Sequence, residues 1–188
     1  HFVAQAAHET GGFTIVREDT GWSAARMCQL WPHRFKPTDP IFRAKYLACG
    51  GDPESIAELV YSGKVKPDLG NHVNGDAYAY RGGGFNQLTG RLNYKEAGAA
   101  IATDLEAQPE LIEDARVSLA VAVWEWRKNN LNQFADGNYL RAIGNAINRG
   151  NAFSKHDPIG ADDRKRWFDR TWAVIGTGQL PTPELALG

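Results

Sequence analysis

The sequence is short of most of the features that announce a function. It holds only two cysteines in 188 residues, Cys28 and Cys49, which excludes a framework of disulfides. The pair allows one bridge; two reduced, buried thiols are the expected state. No apolar run nears the ~20 residues of a membrane span, so no stable membrane insertion is expected. Neither sign of charge dominates: 21 Lys and Arg against 22 Asp and Glu leave a formal charge of −1. A protein that worked by neutralising phosphates would be more basic, so no nucleic-acid partner is expected. Internal repeats and low-complexity tracts are absent. Cys28, His33, Cys49 and His72 follow no zinc spacing, so no metal is expected.

What is present suits a globular protein. Hydrophobic residues make up 43% and charged residues 23%. The length fits one domain over residues 1–188. Six Trp and six Tyr offer ring faces for a core or a cleft. The chain opens at His1 in what already reads as mid-helix, so an upstream segment, including any export signal, is expected to be missing.

Helical signals dominate. Phe2, Val3, Ala6 and Ala7 recur at helical spacing, and Gly11-Gly12 is a stop. Ser23 caps a short helix through Trp31. Asp39-Pro40 and Asp52-Pro53 open two more, the second ending at Ser62-Gly63. Residues 64–92 are rich in Gly, Asn and Asp and read as a functional loop with a short hairpin. Helices follow over Asn93 to about Ala102, Glu110 to Asn129, Tyr139 to Ile147 and Asp163 to Ile175. In the second of these, Leu111, Ala115, Leu119, Ala122 and Trp126 form the apolar stripe. In the last, Trp167, Phe168, Trp172 and Ile175 point inward, and Arg164, Lys165, Arg166 and Arg170 read as its solvated face. Pro181 to Gly188 reads as a loosely held tail.

Four constellations carry chemistry. His8-Glu9-Thr10-Gly11-Gly12 lacks the second His that a zinc protease needs. It leaves a carboxylate in the last turn of an apolar helix. The helix dipole and partial burial both favour the protonated form there, as a general acid requires. A solvated Glu before a helix stop reads the same way. Glu18 follows nine residues later, within the ~30 Å that such a segment can span. Two carboxylates at ~6.5–9.5 Å suit an inverting glycosidase, although acid pairs are common and Arg17 and Asp19 also read as a solvated charge cluster. Residues 74–94 contain Gly82-Gly83-Gly84 but neither a dinucleotide fingerprint nor a phosphate loop. Gly lets backbone approach a ligand closely. Gln87, Thr89, Asn93 and the tyrosines add neutral hydrogen-bonding groups and ring faces, a mixture suited to a glycan. Ile147-Asn148-Arg149-Gly150 closes a helix and reads equally as a plain cap.

Taken together these residues resemble glycoside hydrolase family 19, which comprises chitinases and peptidoglycan-cleaving endolysins of phages and prophages. The motifs are Ala4 to Phe13, Tyr80 to Tyr94 and Ile143 to Gly150, with Ile56 to Tyr61 and Asp162-Asp163-Arg164 resembling the endolysin branch. The resemblance implies a mainly α, lysozyme-like fold of two lobes, with a loop-rich segment or small hairpin lining a cleft. It implies inverting hydrolysis of a β-1,4 GlcNAc-containing glycan without metal or cofactor, by a monomer. Glu9 matches the general acid, Glu18 the general base, and Thr89 a hydroxyl that holds the attacking water. His8, Tyr80, Arg81, Gln87, Asn93, Tyr94 and Asn148 match substrate-binding positions. Gly83 stands where an Arg is common, Asn86 where an aliphatic is common, and Arg149 where a Gly is. These departures bear on subsite preference. No plant-type loops and no chitin-binding module are visible, so peptidoglycan is expected ahead of chitin, with a chitinase as the alternative and a catalytically silent glycan-binding module as the reading from a different class. The expected place of action is the bacterial cell wall, reached by a phage-encoded cytoplasmic product at lysis or by secretion.

Overall fold

Four helix starts in the computed structural model fall on short polar cap residues, Ser23, Asp39, Asp52 and Asp114. The structure describes residues 1–63 and 68–177. Among them are ten α-helices: α1 (Phe2–Glu9), α2 (Ala24–Leu30), α3 (Pro40–Ala48), α4 (Pro53–Tyr61), α5 (Asp76–Ala79), α6 (Arg91–Ala100), α7 (Ala115–Lys128), α8 (Asn132–Asp136), α9 (Leu140–Arg149) and α10 (Ala161–Ile175). The Ser23 hydroxyl accepts from Arg26 N, Asp39 from Ile41 N, and Asp52 from Ser55 N. These bonds satisfy amides that would otherwise have no partner in the first turn. Proline follows both aspartates, where its missing N–H costs nothing. Gly11 and Gly12, at φ 57° and 81°, end α1. The protein is mainly α, as expected.

Several boundaries differ from expectation. The helix expected over Glu110 to Asn129 is two elements, a 3₁₀ turn over Pro109–Glu113 and then α7. Asp114 makes the break, because its carboxylate accepts from Arg116 N and Val117 N and so starts a new helix. The register changes with it. Ser118, Val121, Ala122 and Trp126 are buried, while Leu119 is exposed. In α10, Phe168 is buried but Ile175 is exposed. The expected hairpin is reduced to two isolated bridges, Arg17 with Gly83 and Gly83 with Leu88, and the segment also forms α5. A run of glycines has no side chains with which to stabilise strands. Cys28 and Cys49 are free and half-buried. The tail read as loosely held lies outside the described residues.

The chain divides into two compact units. The first joins residues 1–16, 84–87 and 114–188 and contains α1 and α7 to α10. Its core gathers Trp126, Leu131, Phe134, Ala142 and Ile143, with Phe2 of α1 against them. The second joins residues 17–83 and 88–113. Its core is Met27, Phe35, Phe42, Ile56 and Val60, flanked by Trp22, Trp31, Tyr46 and Tyr61. Aromatic rings meet edge to face there, Trp22 with Trp31 at 5.1 Å and Trp31 with Phe35 at 6.0 Å.

Candidate active site

In the first unit, Glu9 closes α1 beside α10. Its Oε1 accepts from Arg164 Nη2 at 2.6 Å. Arg164 is 2% exposed. Its other donors go to Gln5 Oε1 at 2.5 Å and Ile159 O at 3.2 Å. Three acceptors thus surround one guanidinium fork, the geometry that arginine supplies and lysine does not. Locally, Arg164 sits in a run of charges that reads as a solvated face. Burial corrects that assignment: Arg164 lies four residues before Phe168, on the same inward stripe of α10.

His8 lies next to Glu9. Its Nδ1 meets Asp163 Oδ2 at 2.7 Å, and the other oxygen of Asp163 accepts from Arg166 at 2.9 Å. The hydrogen bond from His8 holds the Asp163 carboxyl below the usual carboxylate range. Gly160 packs against the His8 ring so closely that a Cβ there would overlap it. Asn148, at the end of α9, is exposed, and its Oδ1 accepts from Ile159 N at 3.1 Å. Arg149 donates to Asp157 O, which gives this departure a local structural role. Gln87 has φ 54°, and its Nε2 donates to Gly84 O at 3.1 Å. Asn86 Nδ2 donates to Glu125 Oε2 at 3.1 Å and Phe85 N to Ser118 Oγ at 2.7 Å, so residues 84–87 are fastened to α7. An aliphatic at 86 would lose the Glu125 contact.

In the second unit, Glu18 is half-buried. Both its carboxylate oxygens accept from the Tyr61 hydroxyl, at 3.0 and 3.2 Å, and Oε2 also accepts from Gly82 N at 3.0 Å. Burial pushes the Glu18 carboxyl up, and the bonds from Gly82 and Tyr61 partly oppose that. Glu18 is therefore no solvated charge. Arg81 fixes its backbone: Nε donates to Glu18 O at 3.0 Å, Nη1 to Tyr78 O, and the guanidinium stacks 3.9 Å over the Tyr78 ring. Thr89 is half-buried, and its carbonyl accepts from Asn93 Nδ2 at 2.6 Å.

Two residues expected at the substrate face inward. Tyr94 is fully buried; its hydroxyl donates to Arg81 O and accepts from Arg17 Nη1. Burial pushes it up to about 12. Tyr80 is buried too and donates to Glu106 O at 2.6 Å. Both support the loop from within. Arg17 also donates to Pro109 O and Ala79 O. Its guanidinium, Tyr94 Oη and Ile112 fill the space that a side chain at Gly83 would need. Any side chain at Gly83, an Arg included, would displace these groups. Tyr61 and Arg164, the partners of Glu18 and Glu9, lie inside two of the family-like motifs, but no local signal marks either as such a partner.

Among the described residues no group of three His, Cys, Asp or Glu side chains gathers as a metal site would.

Comparison with known proteins agrees with this architecture. Residues 63–162, over half of the chain, match the family model described as Chitinase class I. A glycosyl hydrolase family 19 domain-containing protein of Haemophilus influenzae is 31% identical over 149 residues, covering 79% of this chain and 69% of that protein. Chitinase 8 of Oryza sativa is 48% identical over 48 residues, 25% of this chain and 18% of its own. An acidic endochitinase of Petunia hybrida is 50% identical over 48 residues, 25% of this chain and 19% of its own. The protein is a glycoside hydrolase. It belongs to glycoside hydrolase family 19 and is chitinase-like. Thr89, Gln87, Asn93 and Asn148 fall within the span matched by the family model; Glu9 and Glu18 precede it.

Proposed function

We propose that the enzyme hydrolyses β-1,4 bonds of bacterial peptidoglycan by an inverting mechanism. Glu9 gives its proton to the leaving oxygen, Glu18 takes a proton from the attacking water, and Thr89 helps hold that water. The observation that carries the assignment is that each carboxylate is held in place by its own set of donors. Glu9 Oε1 is gripped by the buried Arg164 guanidinium. Glu18 accepts from the Tyr61 hydroxyl and the Gly82 amide, and burial raises its proton affinity against the pull of those bonds and of the Arg81 and Arg17 charges, toward the range useful to a general base. A relative that matches along most of the chain is bacterial, while the plant chitinases match over a quarter of it, which supports peptidoglycan. The proposed place of action is the bacterial cell wall, reached as a phage or prophage product at lysis or by secretion.

Chitin is the second reading, because the plant matches are named chitinases and endochitinases. Incubation with purified sacculi and, separately, with chitin oligomers separates the two by mass spectrometry of the released ends. Muropeptides from sacculi with intact chitin support the proposal; the reverse replaces it with chitin.

A low-pKa aryl leaving group tests the two roles. Such a group leaves without protonation, so Glu9→Gln retains turnover on the aryl substrate while losing it on the glycan. Glu18→Gln loses both. The opposite pattern would exchange the two roles. Inversion is read by NMR in the first minutes, as an α-anomer released from a β-linked oligomer.

A further inference from the structure

The second unit carries an unusual helix. On α3, Phe42 is buried and Tyr46, one turn on, is half-buried against the same core. The opposite face, at 100° per residue, consists of Pro40, Ile41, Ala44, Leu47 and Ala48. All five are apolar and all five are exposed, Ile41 at 66% and Leu47 at 74%. Surface helices ordinarily present polar side chains there. The two exposed cations Arg43 and Lys45 border this strip, one on each side. From Arg26 to Lys45 the chain holds Arg26, Arg34, Lys36, Arg43 and Lys45 against one acid, Asp39, although the whole chain has a formal charge of −1. Asp39 is engaged as the cap of α3, and Arg34 in hydrogen bonds to Leu59 and Val60 carbonyls.

We propose that the outer face of α3 is a docking surface for an anionic phospholipid bilayer. The apolar strip enters the headgroup boundary, while Arg43 and Lys45 keep their stems along it and their charges among the lipid phosphates. The strip is nine residues long, about 13 Å. It is too small to supply the ~800 Å² that each partner buries in a stable protein interface. It is large enough for weak, reversible adsorption by a few apolar side chains backed by charge. No helix among the described residues is long and apolar enough to cross a membrane, so the contact is peripheral. Adsorption would hold the enzyme at a surface without involving Glu9 or Glu18.

Cosedimentation with vesicles tests this. The full chain is mixed with phosphatidylethanolamine–phosphatidylglycerol vesicles (3:1) and, separately, with phosphatidylcholine vesicles. The bound fraction should be about tenfold higher on the anionic vesicles at 50 mM salt and should fall steeply by 0.5 M. Ile41→Ser with Leu47→Ser, and separately Arg43→Glu with Lys45→Glu, should each abolish that excess. Both variants change exposed positions only, so their melting temperatures and their turnover of a soluble oligosaccharide should match the parent. Equal binding to both vesicle types overturns the proposal, as does anionic binding that survives both variants. Light scattering adds a third outcome: a dimer that Ile41→Ser with Leu47→Ser returns to monomer, without vesicle binding, makes the face a contact between copies and also overturns it.

Discussion

The Tyr61 hydroxyl bridges both oxygens of Glu18, at 3.0 and 3.2 Å, from the last residue of α4. A donor shared by two oxygens stabilises the charged carboxylate, while burial acts the other way and is the larger effect. Burial and the neighbouring carboxylate also push the Tyr61 hydroxyl well above its ordinary range, so it stays a donor across the working pH.

The consequence is a pH shift of known sign. Removing the hydroxyl removes a bond to the charged form, so Glu18 holds its proton to higher pH. With Glu18 as base, activity requires the carboxylate, and the acid limb of kcat/KM follows its protonation. Tyr61→Phe should move that limb upward by roughly one unit, the worth of one such bond to a charged group. Rates well above the limb should change little. A purely structural role would lower activity at every pH and leave the limb in place. If Glu18 were the acid, the alkaline limb would move instead.

Gly83 should resist even a methyl group. A Cβ there would lie 2.5 Å from Tyr94 Oη and 2.7 Å from Ile112 Cγ2. Tyr94 is fully buried and bonded to Arg17 and Arg81, so neither it nor the isoleucine can yield cheaply. Overpacking of this kind costs about 1–3 kcal/mol. Gly83→Ala should lose that much in urea unfolding, and it should lower turnover because the adjacent Gly82 amide holds Glu18. An unchanged unfolding midpoint would mean that the loop relaxes freely.

Much of the fold follows from local signals. Ser23, Asp39 and Asp52 cap their helices as their types require, and Gly11-Gly12 stops α1. Asp114 was harder to read because Pro109 offers a start signal five residues earlier and apolar residues run across the gap. The candidate site divides along the same line. Glu9 stands out by its place at the end of an apolar helix. Its partner Arg164 comes 155 residues later, in a run of charges that locally reads as solvent-facing. Tyr61 lies 43 residues from Glu18, and Arg17 lies 77 from Tyr94. No periodicity encodes such pairings, since tertiary packing alone creates them. Tyr80 and Tyr94 show the converse: a tyrosine in a glycine-rich loop reads as a ligand contact, and burial gives these two a structural role.

Arg164 gives the strongest expected loss of stability. Three acceptors depend on it: Gln5 Oε1, Glu9 Oε1 and Ile159 O. Arg164→Met keeps most of the volume and removes every donor. It leaves a carboxylate without its cation and a buried amide oxygen unpaired, and breaking a buried pair in this way costs about 3–5 kcal/mol. Glu9 retains some exposure, its side chain being 19% accessible, so the lower end is expected. At about 2–4 °C per kcal/mol for a chain of this size, the melting temperature should drop by roughly 6–12 °C. Adding Glu9→Gln to Arg164→Met removes the stranded charge and should restore part of the loss. Arg164→Lys keeps the charge but cannot reach three acceptors from one ammonium, so it should fall between the parent and Arg164→Met. Equal melting temperatures for the parent and Arg164→Met would show that the pair adds nothing to the fold. A double variant less stable than Arg164→Met would show that the stranded carboxylate is not what the single change costs.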